Sequence, residues 1–257
     1  MEKIGRVARS VLSLNRHREY THLMRMLRLR PSDRVLDVGS GDGFWTVRFA
    51  SQCARVVGLE PDEQLLGMAR RLHTAPNLTY VRGVAEAMPF DTGSFDKVVS
   101  VSCLEHFRDP AAGLREMARA MKPGGRIALS VDSLLAENSP AAFREWHRER
   151  HYVTQYFRVA ELLAMMRDDG VRCEPDQTVH LFRSRLASRV REMFIRRPAP
   201  WLPLFPLLYG VVLAADRTAG ETHGQIVIMT GTRGTESIGA QPRDGAPARV
   251  SSSGLSA

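Results

Sequence analysis

Three glycines within five residues, set between a short apolar run and a helical pattern, constrain this chain more than any other feature. Residues 35–43 read Val-Leu-Asp-Val-Gly-Ser-Gly-Asp-Gly. Glycine lets a backbone turn sharply and approach a ligand closely, and a helix starting there adds oriented N–H donors. Residues 34–38 read as a short buried strand, and the chain after the turn as an apolar helix to about Cys53. The glycines run G-x-G-x-G, with Asp37 ahead of them. The dinucleotide pattern G-x-G-x-x-G needs a glycine where this chain has Phe44, and the GK[ST] of a phosphate loop is absent. The turn therefore fits neither of those two ligand classes.

The same alternation continues downstream. Strands are expected at 55–59, 78–82, 95–102 and 126–131, with helices at 62–72 and 111–121, the latter ended by Pro123, Gly124 and Gly125. A helix over 15–29 precedes them and stops at Pro31. Strands alternating with helices predict an α/β fold with a mostly parallel sheet covered on both faces. After residue 132 the rhythm breaks. Residues 133–156 are polar; a helix at 159–167, a strand near 171–181 and a late strand at 225–230 follow. A single domain is expected over 1–230, with insertions at about 133–156 and 182–222. The segment 231–257 is rich in Gly, Ser, Ala and Pro and has no aromatic residue, so it is expected to be disordered.

Composition narrows the class. The 257 residues are 44% hydrophobic and 25% charged, which excludes a wholly disordered, collagen-like or disulfide-stapled chain. Cys53, Cys103 and Cys173 are isolated, so neither a zinc ribbon nor a disulfide framework is expected, and the reading is a reducing cytoplasm. No signal peptide is read at the start. No run reaches the ~18 apolar residues of a spanning helix; the longest, 201–215, contains Pro203 and Pro206. A soluble protein is expected.

Four motifs, in order, resemble the class I S-adenosylmethionine-dependent methyltransferases, especially the small-molecule branch that includes ubiquinone-biosynthesis methyltransferases. They are VLDVGSGDG; the acid Glu60 in VVGLEPDEQLLGMAR; RGVAEAMPF followed by SFDKVVSVSCLEHFRDP; and REMARAMKPGGRIALS. The resemblance covers roughly 20–132. It implies a Rossmann-like fold with a seven-stranded sheet and a helical cap, and S-adenosylmethionine as cofactor. In that reading the backbone of Gly39 and Gly41 touches the methionine and ribose portions, Asp37 orients the ammonium, and Glu60 accepts from both ribose hydroxyls. Ala85 and Glu86 lie beside the adenine, and Ser40, Gly43 and Ser102 complete the cofactor set. Val84 stands where the family commonly has an aspartate for the adenine amino group; Glu86 is the substitute considered.

The chemistry follows from the same reading. Methyl transfer to an alcohol or phenol profits from a base, and His106 follows a strand at its carboxyl end, where open α/β sheets bind ligands. Glu105 is read as solvated or structural and Cys103 as core. The segment HRERHYVTQYFRVAELL is similar to the pre-helix segment of methyltransferases of bacterial surface-glycan and secondary-metabolite pathways, a resemblance that implies His147, His151, Tyr152 and Tyr156 on the acceptor side. The HRERH spacing of the two histidines is not HExxH and lacks a third ligand, so no metal is expected. The expected acceptor is a small molecule, a glycan or a lipid-linked intermediate, methylated on oxygen. A net charge of +8 raises RNA as an alternative, but no base-flipping motif supports it; a non-catalytic cofactor-binding scaffold is the other alternative. Within 182–215, six arginines adjoin a Pro-, Leu- and aromatic-rich run. Two readings are open. One is peripheral contact with an anionic membrane. The other, preferred from sequence, is a cap helix with a solvated arginine face and an apolar segment closing the acceptor pocket.

Overall fold

The computed structural model describes residues 13–173, 178–220 and 223–235. Its centre is a sheet of β1 (Arg34–Val38), β2 (Arg55–Glu60), β3 (Leu78–Arg82), β4 (Phe95–Val101), β5 (Met121–Asp132), β6 (Val171–Arg172), β7 (Val179–Leu181) and β8 (Ile226–Arg233). The order is β3-β2-β1-β4-β5-β8-β6, with β7 also on β8. The first five strands pair in parallel, and β8 runs antiparallel to β5, β6 and β7. The expected single strand near 171–181 is instead two pieces on one edge of β8. Residues 174–177 lie outside the described residues. The sheet thus has eight strands, two of which fill the position expected for one.

Strand alternation splits the core into two layers. Leu36, Val38, Val57 and Leu59 face Leu114 and Met117 of helix α4 and Leu162 and Met166 of α6; Val35, Val56, Val99 and Ala128 face Leu23 and Leu27 of α1, Phe49 of α2 and Phe194 of α7. The helices are α1 (Arg16–Leu27), α2 (Thr46–Ala50), α3 (Glu63–Leu72), α4 (Pro110–Ala120), α5 (Ala141–His151), α6 (Val159–Asp168), α7 (Arg185–Arg196) and α8 (Phe205–Thr218). Caps set two of the starts. Asp62 accepts from the N–H groups of Gln64 and Leu65, and Asp109 from that of Ala112 with Pro110 in the first turn. The helix after the glycine turn is shorter than expected, at five residues.

The carboxyl-terminal third departs most from expectation. Strand β8 extends to Arg233, past the expected boundary at 231, and Arg233 Nη1 donates to the carbonyls of Arg119 and Met121. Residues 236–257 of the expected tail lie outside the described residues. Phe182 sits just before α7 at φ 58°, fully buried, while Leu186 on α7 is 54% exposed. The buried face of α7 is Ala187, Ser188, Val190, Arg191 and Phe194. Arg191 therefore does not belong to a solvated arginine face. Its guanidinium is buried over the Phe182 ring and pairs with Asp132 at 2.5 Å.

A 3-10 segment, Ala199–Leu204, joins α8 to give a 20-residue helical stretch, Ala199–Thr218, long and apolar enough by composition to cross a membrane. The expectation that its prolines shorten it fails for a physical reason. Pro203 lies in the 3-10 segment and Pro206 in the first turn of α8, where a missing N–H costs little. Only 11% of its most apolar window is buried. The buried Val212 and the half-buried Phe205, Leu208 and Tyr209 pack on the core, while Leu202, Leu204 and Leu207 stay exposed.

Asp216 fastens α8 to the body. Its Oδ2 accepts from Arg18 Nη2 at 2.7 Å and from the Phe182 N–H at 2.8 Å; its Oδ1 accepts from the Arg183 N–H at 2.8 Å. Arg18 is 8% exposed. Asp216→Ala leaves that guanidinium buried and unpaired, so chemical denaturation should show a loss of about 3–5 kcal/mol. Removing Glu63, whose pairs with Arg70 and Arg82 lie in solvent, should cost under ~1 kcal/mol. Equal losses would show that Asp216 does not hold this helix.

Candidate active site

The glycine turn is held by the neighbouring strand. The N–H groups of Gly39 and Ser40 both donate to the Leu59 carbonyl, at 2.8 and 3.0 Å. One residue on, Glu60 ends β2. Its Oε2 accepts from the Gly41 N–H at 2.9 Å and its Oε1 from the Asp62 N–H at 3.1 Å. Each carboxylate oxygen has two acceptor positions, so Glu60 holds the turn and keeps capacity for further donors. Burial pushes its carboxyl above the usual range, against the pull of these two N–H groups. Asp37 is buried and accepts from Thr46 Oγ1 at 2.6 Å. Burial, opposed by Thr46 and reinforced by the charge of Glu60, lifts its carboxyl to about 7.

Two of the turn's glycines serve different ends. Gly43 has φ 79°, and a Cβ there would lie 2.2 Å from Tyr80 Oη, so no larger residue fits. Gly41 has φ 56° and open space where a Cβ would point. Beside it, Ser40 Oγ is buried without a hydrogen-bond partner among the described residues. An open backbone, an unpartnered hydroxyl and a carboxylate with acceptor positions to spare at one strand-end edge are chemically compatible with the amino-acid and ribose portions of S-adenosylmethionine. Ala85 is buried in a one-turn helix, Ala85–Ala87. Glu86 Oε1 accepts from the N–H groups of Arg108 and Asp109, at 2.9 and 3.4 Å; that oxygen steadies the entry to α4. Val84 is 46% exposed.

A second space opens at the carboxyl ends of β4 and β5. It is a cavity of about 150 Å³ reached by His106, His147 and His151 together with Glu105, Asp132 and Arg191. Ser102, assigned to the cofactor set from sequence, lies here: it has φ 44° and donates through Oγ to Glu19 Oε2 at 2.7 Å. His106 is exposed, and its Nδ1 is 3.3 Å from the Tyr152 carbonyl. A carbonyl only accepts, so Nδ1 carries the hydrogen; in the neutral imidazole the lone pair is then on Nε2. His147 is engaged at both nitrogens: Nδ1 is 3.1 Å from Tyr156 Oη, and Nε2 is 3.5 Å from Asp132 Oδ2. Burial, opposed by Asp132, takes His147 down to about 4, and burial raises the Tyr156 phenol to about 12.

The structure brings His106, His147 and His151 together, with Tyr156 behind His147. Tyr152 meets His106 only through its backbone carbonyl: the residue is 84% exposed and forms the left-handed end of α5. No residue of 199–218 lines the cavity, so the apolar segment does not close it. Glu105, read as solvated or structural, is fully buried. Burial and the neighbouring charge of Asp132 raise its carboxyl to about 8. Burial also pushes Asp132 up, but Arg191 and His147 outweigh it and hold Asp132 below the ordinary range. Sequence reasoning missed Glu19, Asp132 and Arg191. Two signals were present: Asp132 ends a strand as Glu60 does, and Glu19 falls on the Leu23, Leu27 stripe of α1 at four-residue spacing.

Comparison with known proteins identifies the fold and the family. A family model described as a methyltransferase domain matches residues 36–129. The ubiquinone biosynthesis O-methyltransferase of Xanthomonas oryzae is 33% identical over 181 residues, 63% of this chain and 74% of that protein. The demethylmenaquinone methyltransferase of Mycolicibacterium gilvum is 39% identical over 123 residues, 47% of this chain and 51% of that one. Among solved structures, an S-adenosylmethionine-dependent methyltransferase from Mesorhizobium loti shares the fold at TM-score 0.62 and 19% identity, covering 86% of this chain and all of that one. Phosphoethanolamine N-methyltransferase 2 of Haemonchus contortus, with S-adenosylhomocysteine bound, does so at TM-score 0.64 and 19% identity, covering 85% and 52%. The chain belongs to the small-molecule branch of the class I S-adenosylmethionine-dependent methyltransferases.

Proposed function

We propose that this methyltransferase acts on a hydroxyl oxygen of its small-molecule acceptor, with His106 as general base. The observation that carries this reading is the exposed His106 at the strand-end cavity, anchored through Nδ1 on the Tyr152 carbonyl so that Nε2 is the nitrogen left to serve as base. In the cofactor pocket, Glu60 takes the ribose hydroxyls and Asp37 orients the ammonium end. The backbone from Gly39 through Gly43, with Ser40, lines the floor, and Ala85 and Glu86 border the adenine. When bound, S-adenosylmethionine supplies a methyl carbon that an oxygen displaces from sulfur, the bonding pair leaving on the sulfur. His106 Nε2 receives the acceptor's hydroxyl proton. Holding the acceptor in line is the larger part of the work, since alignment supplies roughly 7–11 kcal/mol of such a barrier. Of the sequence-assigned acceptor residues, His151 and Tyr156 shape the space around His147, which is spoken for at both nitrogens and acts as a wall.

The finer reading of location is peripheral contact with an anionic membrane through 182–215. What supports it is the exposed Leu202, Leu204 and Leu207, on the segment that follows the exposed Arg185, Arg189, Arg196 and Arg197 in the chain. Apolar side chains next to a basic face suit a helix lying at a charged bilayer surface. A lipid-linked acceptor would then meet the enzyme at that surface.

Two experiments test these points. His106→Ala should lower turnover by at least tenfold and leave S-adenosylhomocysteine affinity within twofold; an equal fall in both would make His106 a pocket wall. The protein should float with phosphatidylglycerol vesicles at low salt, and Leu204→Asp/Leu207→Asp should abolish flotation without changing S-adenosylhomocysteine binding. No flotation of the native protein would remove the membrane from the account.

A further inference from the structure

We propose that the cavity at the ends of β4 and β5 recognises a hydroxyl-rich acceptor, a single sugar or similar polyol ring, and that Glu19 and Glu105 are its specificity-determining residues. The inference rests on the methyl-transfer reading above and names the acceptor class for that site. Three oxygens of residues lining this one cavity, Asn15 Oδ1, Glu19 Oε1 and Glu105 Oε2, are buried without a hydrogen-bond partner among the described residues. The two carboxyl side chains are 1% and 0% exposed. Such groups are expensive to leave unmade, and native proteins satisfy them with protein, water or ligand.

The other half of each carboxyl group is already committed. Glu19 Oε2 accepts from Ser102 Oγ at 2.7 Å and Ser130 Oγ at 3.0 Å, and Glu105 Oε1 from the Asp132 N–H at 3.2 Å. Both side chains are thus fixed, each with one oxygen to spare. The charge state sorts the ligand classes. Burial and the charge of Asp132 favour the protonated form of Glu105, which offers an O–H; Glu19 Oε1 and Asn15 Oδ1 offer lone pairs. An ammonium only donates and a carboxylate only accepts, whereas a hydroxyl does both. Several hydroxyls on one ring meet this mixed set; an apolar quinone ring does not. Among the described lining residues Ile195 is the one aliphatic side chain. The volume of about 150 Å³ suits one substituted ring. His106 stands at the same cavity, so a hydroxyl held by Glu19 and Glu105 lies beside the base.

The test is methyl transfer from radiolabelled S-adenosylmethionine into an extract of the source cells, with the labelled product split by solvent partition and acid hydrolysis. The expected result is label released by hydrolysis as an O-methylated monosaccharide or polyol. With that acceptor, Glu19→Gln and Glu105→Gln should each raise KM at least tenfold and leave S-adenosylhomocysteine affinity within twofold. Label on an aromatic or quinone product, or an unchanged KM in both variants, overturns the proposal. No label in any fraction while S-adenosylhomocysteine binds normally overturns the methyl-transfer reading beneath it.

Discussion

Everything at the cofactor end depends on how β2 grips the turn that follows β1. Parallel pairing sets Val38 beside Leu59, and the next two backbone N–H groups both close on the Leu59 carbonyl. The strand then ends in Glu60, whose two oxygens take one N–H from the turn and one from the start of α3. A flexible run of three glycines would otherwise cost conformational entropy to order. Here the ordering is done by a neighbouring strand whose register is fixed by burial on both faces. The carboxylate that orders the turn is also the group best suited to receive a diol.

At the acceptor end the organising contact is Asp132 with Arg191. One comes from the last residue of β5, the other from a helix of the cap, and both are buried. A buried ion pair is a weak source of stability, because desolvation offsets the attraction. Its effect is positional. It ties α7 to the end of the sheet, holds Asp132 charged, and through that charge keeps the Glu105 carboxyl high. The cap and the strand ends therefore form one electrostatic unit around the cavity.

The sheet was legible because each strand of a parallel α/β sheet carries its own signal: an apolar run bounded by a turn, then a helical stripe. The glycine turn and Glu60 were legible for the same reason, since both sit at strand ends where the motif order fixes them. The acceptor side was not. Arg191 lies in a run of arginines whose neighbours are solvated, and local spacing does not single out the one that turns inward to meet Asp132. Phe182 imitates the helical spacing of α7 while lying outside it in a left-handed conformation. Pro203 and Pro206 look like breaks, but Pro206 falls in the first turn of α8, where a missing N–H costs little, and Pro203 lies within the short 3-10 segment that precedes it. For Arg191 and Phe182 a partner from a distant part of the chain, Asp132 or Asp216, decides the outcome, and one-dimensional pattern does not carry that partner.

The central claim is that Glu60 joins the glycine turn to the ribose of the cofactor. Calorimetry of S-adenosylhomocysteine binding to native protein and to Glu60→Ala, with the fold of both checked by circular dichroism, tests it most directly. The account predicts a loss of about 1.5–3 kcal/mol, the scale of hydrogen bonds to a charged group. Unchanged affinity in a folded variant would contradict it and place the cofactor elsewhere on the sheet.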